Sequence, residues 1–106
     1  MIWLGLTALA APMDEEATRD AMGASWREGT RLVYALTRGE LAHVQTASAG
    51  LRASLEGGHP DARATLVPLL DRLDVAPDLV VAAQVVGQIG AACGACHVAE
   101  QRTRSW

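Results

Sequence analysis

Apolar residues recur every three or four positions along most of the chain, and this spacing predicts helices. The clearest case is the second apolar segment, whose regular positions are Leu41, Val44, Ser48, Leu51 and Leu55. No segment shows the clean alternation of apolar and polar residues that is typical of a half-buried strand. The pattern therefore predicts an all-α protein.

Turn-forming residues divide the pattern into four helices. The first begins in the acidic stretch PMDEEATRD, which suits the positive end of a helix dipole, and stops at Gly39; the second ends in EGGHP. The third contains Pro68, which either kinks it or lies in the first turn of a helix starting near Thr65. The last runs from about Pro77 to about Arg102. Short connections between four amphipathic helices predict an antiparallel four-helix bundle.

The apolar positions of the first and last helices define the faces that we expect to turn inward. On the first helix they are Met22, Trp26, Gly29, Val33 and Leu36. On the last helix they are Ala82, Val86, Ile89, Cys93 and Cys96. Both sets follow spacings of three and four, so each set shares one side of its helix.

Composition indicates one small domain with a light core. The chain has 106 residues, with 20 alanines and no phenylalanine. A core of such small side chains would be stabilised by a large apolar ligand at its centre. The net charge is −3, and nine arginines are scattered without any lysine. The chain therefore lacks the basic patch that binding to a nucleic-acid backbone requires.

The N-terminal run MIWLGLTALAA is apolar and ends in small residues. This pattern is typical of a secretory signal, although no Lys or Arg precedes it, and the alternative is the apolar first turn of a helix. We expect residues 1–11 to be a signal-peptide remnant and residues 12–106 to be the bundle domain of a periplasmic or otherwise exported protein. The run is too short to span a bilayer, and we expect no membrane span elsewhere.

Both cysteines lie in one short motif, CGACH, at residues 93–97. Helical positions three apart share a face and are separated by about 4.5 Å along the axis. Two thiols so placed can add to the vinyl groups of one porphyrin while the histidine binds its iron. The small residues between them let the porphyrin edge approach the backbone. The motif Cys93-x-x-Cys96-His97 therefore predicts covalently attached haem c.

Three other uses of the cysteines compete with haem attachment. A redox Cys-x-x-Cys pair normally follows a strand and opens a helix, whereas this pair lies near the end of one. A zinc site needs four ligands, and the other histidines, His43 and His59, lie far away in sequence. The cysteines could also pack as buried thiols. Haem attachment is favoured because the motif coincides with an all-helical context and a light core.

A helical chain with Cys-x-x-Cys-His near its C-terminus resembles the cytochrome c-prime family, the class II cytochromes c. The resemblance rests on CGACH and on the order of the helices. It implies a four-helix bundle with haem on the last helix, and an electron carrier rather than an enzyme. It also implies redox partner proteins and a homodimer that pairs through the first two helices.

The resemblance further implies that the first helix determines the sixth ligand of the iron. In one branch of the family an apolar side chain leaves the iron five-coordinate, and nitric oxide or carbon monoxide binds it. In the other branch a methionine closes the site for electron transfer. Met22 on the first helix is the expected ligand, with Met13 and His43 as weaker candidates. Six-coordinate His97/Met22 iron is thus the prediction, and gas binding is the alternative.

Two more residues of the first helix are assigned to the same site. Trp26 lies one turn after Met22, and we expect it against the porphyrin, with a plain core tryptophan as the alternative. Arg19 lies one turn before Met22 and resembles the first-helix arginine that family members place near a haem propionate. The family spacing is four and here it is three, so a solvated arginine is the alternative.

Overall fold

The computed structural model describes residues 15–103, and these form four helices without a strand. The helices are α1 (Glu15–Thr37), α2 (Leu41–Leu55), α3 (Pro60–Asp74) and α4 (Leu79–Thr103). Because three or four residues connect each pair, successive helices reverse direction and pack as a bundle. The predictions of an all-α chain and four helices are confirmed. The predicted signal remnant, residues 1–11, lies outside the described residues.

Residues at the connections account for where the first three helices begin and end. Gly39 has a φ of 75°, in the left-handed region that glycine adopts at helix C-termini without a steric penalty. His59 caps α3, because its Nδ1 accepts the Asp61 N–H at 3.2 Å. Of the two alternatives for Pro68, the structure has the helix that continues through it.

The last helix begins two residues later than expected. We predicted a start near Pro77, but α4 begins at Leu79. Asp78 explains the difference, because its Oδ1 accepts the Val81 N–H at 2.9 Å and satisfies one of the unpaired donors of the first turn. Pro77 therefore belongs to the connection and not to the helix.

All four helices contribute to one hydrophobic core. Its buried apolar members are Leu32, Ala35, Val44, Leu51, Leu55, Leu66, Leu70, Leu73, Ala76, Ala82, Val85, Val86 and Ile89. The inward face predicted for α2 is confirmed in this cluster and by the fully buried Ser48. α1 packs most extensively against α2, and α4 against α3.

The prediction of which side of α1 faces inward is wrong for the largest residues of that set. Trp26 is 78% exposed, and Met22 and Val33 are also exposed, whereas Leu32 and Ala35 are buried. The reason is that apolar positions surround much of this helix, and its packing against α2 uses the side that carries Leu32 and Ala35. A tryptophan packed in the core is therefore contradicted.

Toward one end of the bundle the core is formed by α2 and α3, where Leu51, Leu55 and Leu66 are buried, and not by α1 and α4. Among the described side chains, Leu32 is the first buried one on α1 and Ile89 is the last on α4. Antiparallel packing places the N-terminal part of α1 and the C-terminal part of α4 at the same end of the bundle. We refer to residues 16–31 of α1 and 90–99 of α4 as the open end, since no described side chain in either range is fully buried.

A polar network fastens α2 to α3 beside the core. The buried Ser48 Oγ donates to Asp74 Oδ1 at 2.9 Å. Arg52 Nη2 donates to Asp74 Oδ2 at 2.9 Å and to Asp71 Oδ1 at 2.8 Å. The Ser48 hydroxyl is therefore a satisfied polar group inside an otherwise apolar helix face, as buried polar groups usually are.

One helix is long and apolar enough, by length and composition, to cross a membrane. It is the segment Leu79–Ala99 of α4, with a mean hydropathy of 1.7 and 22% of the window buried. We expected no membrane span after the N-terminal run; this segment passes the test by composition because alanine and valine raise its mean hydropathy, and the test does not decide between a span and a core helix. Helices of folded soluble proteins also pass this test. The absence of a membrane span remains a prediction.

Candidate functional site

The three motif residues lie together on α4, just beyond Ile89, the last buried side chain of that helix. Cys93 and Cys96 follow Ile89 by four and seven residues, or about one and two turns, so both lie on the same side of the helix as Ile89. Cys93 and His97 are exposed, Cys96 is half-buried, and the cysteines do not form a disulfide. One helical turn thus presents two thiols and an imidazole at the open end.

The Cys93 thiol is not activated. Although the residue as a whole is exposed, the atoms around its sulfur partly desolvate it and raise the pKa of Cys93, and the neighbouring Cys96 sulfur raises it further. Redox and nucleophilic cysteines have the opposite property, a lowered pKa that favours the thiolate. At neutral pH Cys93 is therefore a protonated thiol, which disfavours the interpretation of this pair as a redox motif.

The three residues assigned on α1 also lie at the open end. Met22 is 37% exposed and Trp26 is 78% exposed, and because they are four residues apart they share one side of the helix. Arg19 is exposed and precedes Met22 by three residues. α1 and α4 are in contact, less extensively than α1 with α2. The antiparallel order of the helices thus places the six site residues at the same end of the bundle, three on each helix; ligation of iron by Met22 remains a prediction.

The chemistry of these side chains fits haem c. The group requires two accessible thiols, one imidazole and apolar surface against the ring. Cys93, Cys96 and His97 meet the first two requirements. Met22 and Trp26 are apolar side chains that the chain itself leaves uncovered. A large planar apolar group at the open end would cover such side chains.

The weaker candidates for iron ligation have other roles or lie elsewhere. His43 is on the surface, as expected, and its Nδ1 lies 3.0 Å from Glu40 Oε2. His59 caps α3, and Met13 lies outside the described residues. Within residues 15–103 no three His, Cys, Asp or Glu side chains form a group that could hold a metal ion. Haem iron does not need such a group, because the porphyrin provides four of its ligands.

An open groove lies between α1 and α2, and the sequence pattern did not predict it. Its lining residues are Glu28, Arg31, His43, Thr46, Ala47 and Gly50. The Glu28 carboxylate lies so close to Gly50 that an added methyl group would be 2.5 Å from Oε2. Arg31 Nη1 also donates to Glu28 Oε1 at 2.9 Å. The lone glycine inside α2 was the only sequence signal of this close helix contact.

Comparison with known proteins gives no further guide to the site. No family model matches the chain, and neither the curated proteins nor the solved structures include a match. The case for a function therefore rests on the CGACH motif and on its position at the open end of a four-helix bundle.

Proposed function

We propose that this chain is a mono-haem c-type cytochrome that carries single electrons in the cell envelope. One observation carries the proposal: Leu32 and Ile89 are the last buried side chains of α1 and α4 toward this end of the bundle, and the residues suited to haem follow on both helices. The spacing of Cys93, Cys96 and His97 then specifies the kind of ligand. Bound haem would supply the reversible one-electron couple of its iron.

Each site residue has a distinct task in this proposal. Cys93 and Cys96 hold the porphyrin through two thioethers, and His97 provides the proximal imidazole. Met22 provides the sixth ligand from α1, and a thioether favours the reduced iron because it is a soft ligand. With both axial positions taken, the iron has no open position for a substrate, so the protein is a carrier and not an enzyme.

Trp26 and Arg19 act around the ring. Covering most of Trp26 would remove on the order of 150 Å² of apolar surface from water, worth about 4 kcal/mol. This burial lowers the polarity around the iron and couples haem binding to the stability of the open end. Arg19 carries a positive charge on the same helix, suited to pairing with a haem propionate.

The proposal includes location and partners. Export brings the cysteines to a compartment outside the cytoplasm, and redox partner proteins deliver and receive the electron. The resemblance to cytochromes c-prime adds a homodimer through α1 and α2. The groove between these helices, with Glu28 and Arg31 on one wall and His43 on the other, lies on that surface.

The visible spectrum of protein made with a haem-ligation system tests the ligand set. We expect low-spin iron in both oxidation states and a weak far-red band from sulfur bound to ferric iron. Met22→Ala should make the iron high-spin, lower its potential and let carbon monoxide bind, while the haem stays attached. Met13→Ala is the matched control and should leave the spectrum unchanged. Wild-type protein that is already high-spin and binds carbon monoxide at once would replace this proposal with the gas-binding alternative.

A further inference from the structure

The middle of α1 is fastened to α2 by contacts on one side of the helix. Ser25 Oγ lies 3.3 Å from Ser54 Oγ. One turn further along α1 the Glu28 carboxylate lies close against Gly50, and the next turn brings the buried Leu32. α1 packs less extensively against α4 than against α2. α2 therefore holds this part of α1 in place.

The hydrogen bond between the two serines has a defined direction. Ser54 Oγ donates its only proton to the Leu51 carbonyl oxygen at 2.7 Å. The bond between the serines therefore has the Ser25 hydroxyl as its donor and Ser54 Oγ as its acceptor. Both serines are half-buried. Ser54, which is itself tied to the backbone of α2, is thus a fixed acceptor for a residue of α1.

α1 continues past the end of α2. Only one more residue of α2, Leu55, follows Ser54. Because the two helices are antiparallel, residues 15–24 of α1 extend beyond this point by about 15 Å. Met22 belongs to this segment and lies three residues before Ser25, or about 4.5 Å along the axis. Since a helix is stiff over one turn, a contact that fixes Ser25 also fixes the backbone of Met22.

The same contact determines the direction in which Met22 points. Successive residues are about 100° apart around a helix, so Met22 lies about 60° from Ser25, on the side away from Glu28. Glu28 lines the open groove beside α2. Leu36, about four turns after Met22 and on nearly the same side, packs against the core. The contact of Ser25 with α2 thus turns Met22 away from the groove and toward the side on which Leu36 packs.

We propose that Ser25 is a positioning residue of the haem site, whose hydrogen bond to Ser54 holds Met22 where its thioether reaches the iron. This inference rests on the proposed function, since it takes Met22 as the sixth ligand. A ligand that is already held in its bound position loses little freedom on binding. The same iron–sulfur bond then closes the site in a larger fraction of the molecules, although neither serine needs to touch the haem.

A hydrogen bond that only stabilised the bundle would have a different signature. Its loss would lower the free energy of unfolding and leave the iron low-spin. The bond from Ser48 to Asp74 is of this kind, because it joins α2 to α3 and involves neither α1 nor α4. Ser48→Ala is therefore the matched control, since it also removes one serine hydrogen bond and leaves the hold on α1 intact.

The spin state of the iron and the rate of carbon monoxide binding test the positioning role in haem-loaded protein. In the parent chain carbon monoxide binds only after Met22 has left the iron. Ser25→Ala should add a high-spin fraction to the spectrum and raise this rate by about tenfold, the factor that one hydrogen bond of ordinary strength gives. Ser48→Ala should leave both the spectrum and the rate unchanged.

Three further variants test whether the hydrogen bond itself is responsible. Ser25→Thr keeps the hydroxyl and should behave like the parent chain. Ser54→Ala removes the acceptor and should reproduce the effect of Ser25→Ala. The variant with both serines changed to alanine should do no more than the larger single change, because both changes remove one interaction. Circular dichroism checks that every variant keeps its helices.

Hydrogen exchange in protein made without haem tests the hold on α1 separately from the iron. The amides of residues 19–24 lie in α1 before Ser25, and they exchange when this segment opens locally. They should exchange faster in Ser25→Ala than in the parent chain. Ser48→Ala should leave their exchange rates unchanged.

The results that would contradict the proposal are distinct from one another. Low-spin iron in both the parent and Ser25→Ala, with equal rates of carbon monoxide binding, would overturn the positioning role and leave the ligand set intact. High-spin iron in the parent would overturn the ligand set, and the positioning role with it. A similar spectral change in Ser48→Ala, or equal amide exchange in the parent and Ser25→Ala without haem, would overturn the positioning role by showing that Ser25 does not act through its hold on α1.

Discussion

Leu32 on α1 and Ile89 on α4 are the last buried side chains of their helices toward the end of the bundle that carries the CGACH motif. Beyond them α1 exposes Met22 and Trp26, and α4 presents the CGACH motif. A bundle of this size needs most of its large apolar side chains inside, yet its largest described one lies outside. The proposal of one large apolar cofactor held between α1 and α4 accounts both for the exposed side chains of α1 and for the CGACH motif.

The exposure of Trp26 makes it a reporter of haem binding. In protein made without haem its fluorescence should be that of a tryptophan in water. With haem attached, energy transfer to the ring should quench it, because we place Trp26 against the porphyrin. The measurement is the emission of a variant that keeps Trp26 and carries Trp3→Phe and Trp106→Phe. Equal emission from the variant with and without haem would show that Trp26 does not lie against the porphyrin.

The hydrogen bond from Ser48 to Asp74 should be visible in the stability of the bundle. Ser48→Ala removes one buried hydrogen bond and should cost about 1 kcal/mol of the free energy of unfolding. Asp74→Ala leaves the Ser48 hydroxyl buried without its acceptor and also removes one partner of Arg52, so it should cost more, about 1–3 kcal/mol. Urea denaturation of the two variants measures both values.

A double variant and a surface control complete this test. Ser48→Ala combined with Asp74→Ala should cost less than the two single changes added together, because the residues share one interaction. Thr46→Ala changes an exposed hydroxyl on the same helix and should stay within about 0.5 kcal/mol of the parent. Additive costs would show that the Ser48–Asp74 bond contributes nothing to stability.

The raised pKa of Cys93 predicts that its thiol reacts slowly with alkylating agents in protein made without haem. At neutral pH, alkylation of the folded Cys96→Ser variant should be slower than alkylation of the same variant unfolded by denaturant. The rate for the folded variant should rise only at pH values above the ordinary pKa of a cysteine thiol. Burial is the larger cause of the shift, so the effect should survive the loss of Cys96. A thiolate that forms below the ordinary range would support a redox motif instead.

The raised pKa of Cys93 also predicts that the folded chain loses stability at alkaline pH. The folded chain holds the Cys93 proton more tightly than the unfolded chain does. The stabilisation that the Cys93 thiol gives to the folded chain is therefore complete below the pKa of the unfolded thiol, and it is lost as the pH rises through the pKa of the folded thiol. Cys93→Ser should remove this alkaline loss of stability, which denaturation at several pH values measures.

The helices themselves followed from the sequence because their periodicity is regular and their ends carry distinct residues. On α2 a single apolar stripe has no competing face, so the buried set that includes Val44 and Leu51 was predicted correctly. The start of α4 was missed by two residues because the proline at 77 and the aspartate at 78 are both common helix-start signals, and only the Asp78 hydrogen bond distinguishes them.

The inward face of α1 did not follow from the sequence, for a physical reason. Periodicity shows which residues share a side of a helix but not which side meets a neighbour. Met22 and Trp26 were expected inside because they follow the spacing of three and four, whereas Leu32 and Ala35, which do not belong to that set, are packed there. The polar link from Ser48 to Asp74 was missed as well, since it joins residues on different helices.

The intact mass of protein made with a haem-ligation system tests the central claim most directly. We predict a chain that carries one haem and no thiol open to alkylation, with a visible spectrum that survives extraction by acidified organic solvent. A variant with Cys93→Ser and Cys96→Ser should show the mass of the polypeptide alone. Wild-type protein at the polypeptide mass, with both thiols alkylated under conditions where a known c-type cytochrome is fully loaded, would contradict the account.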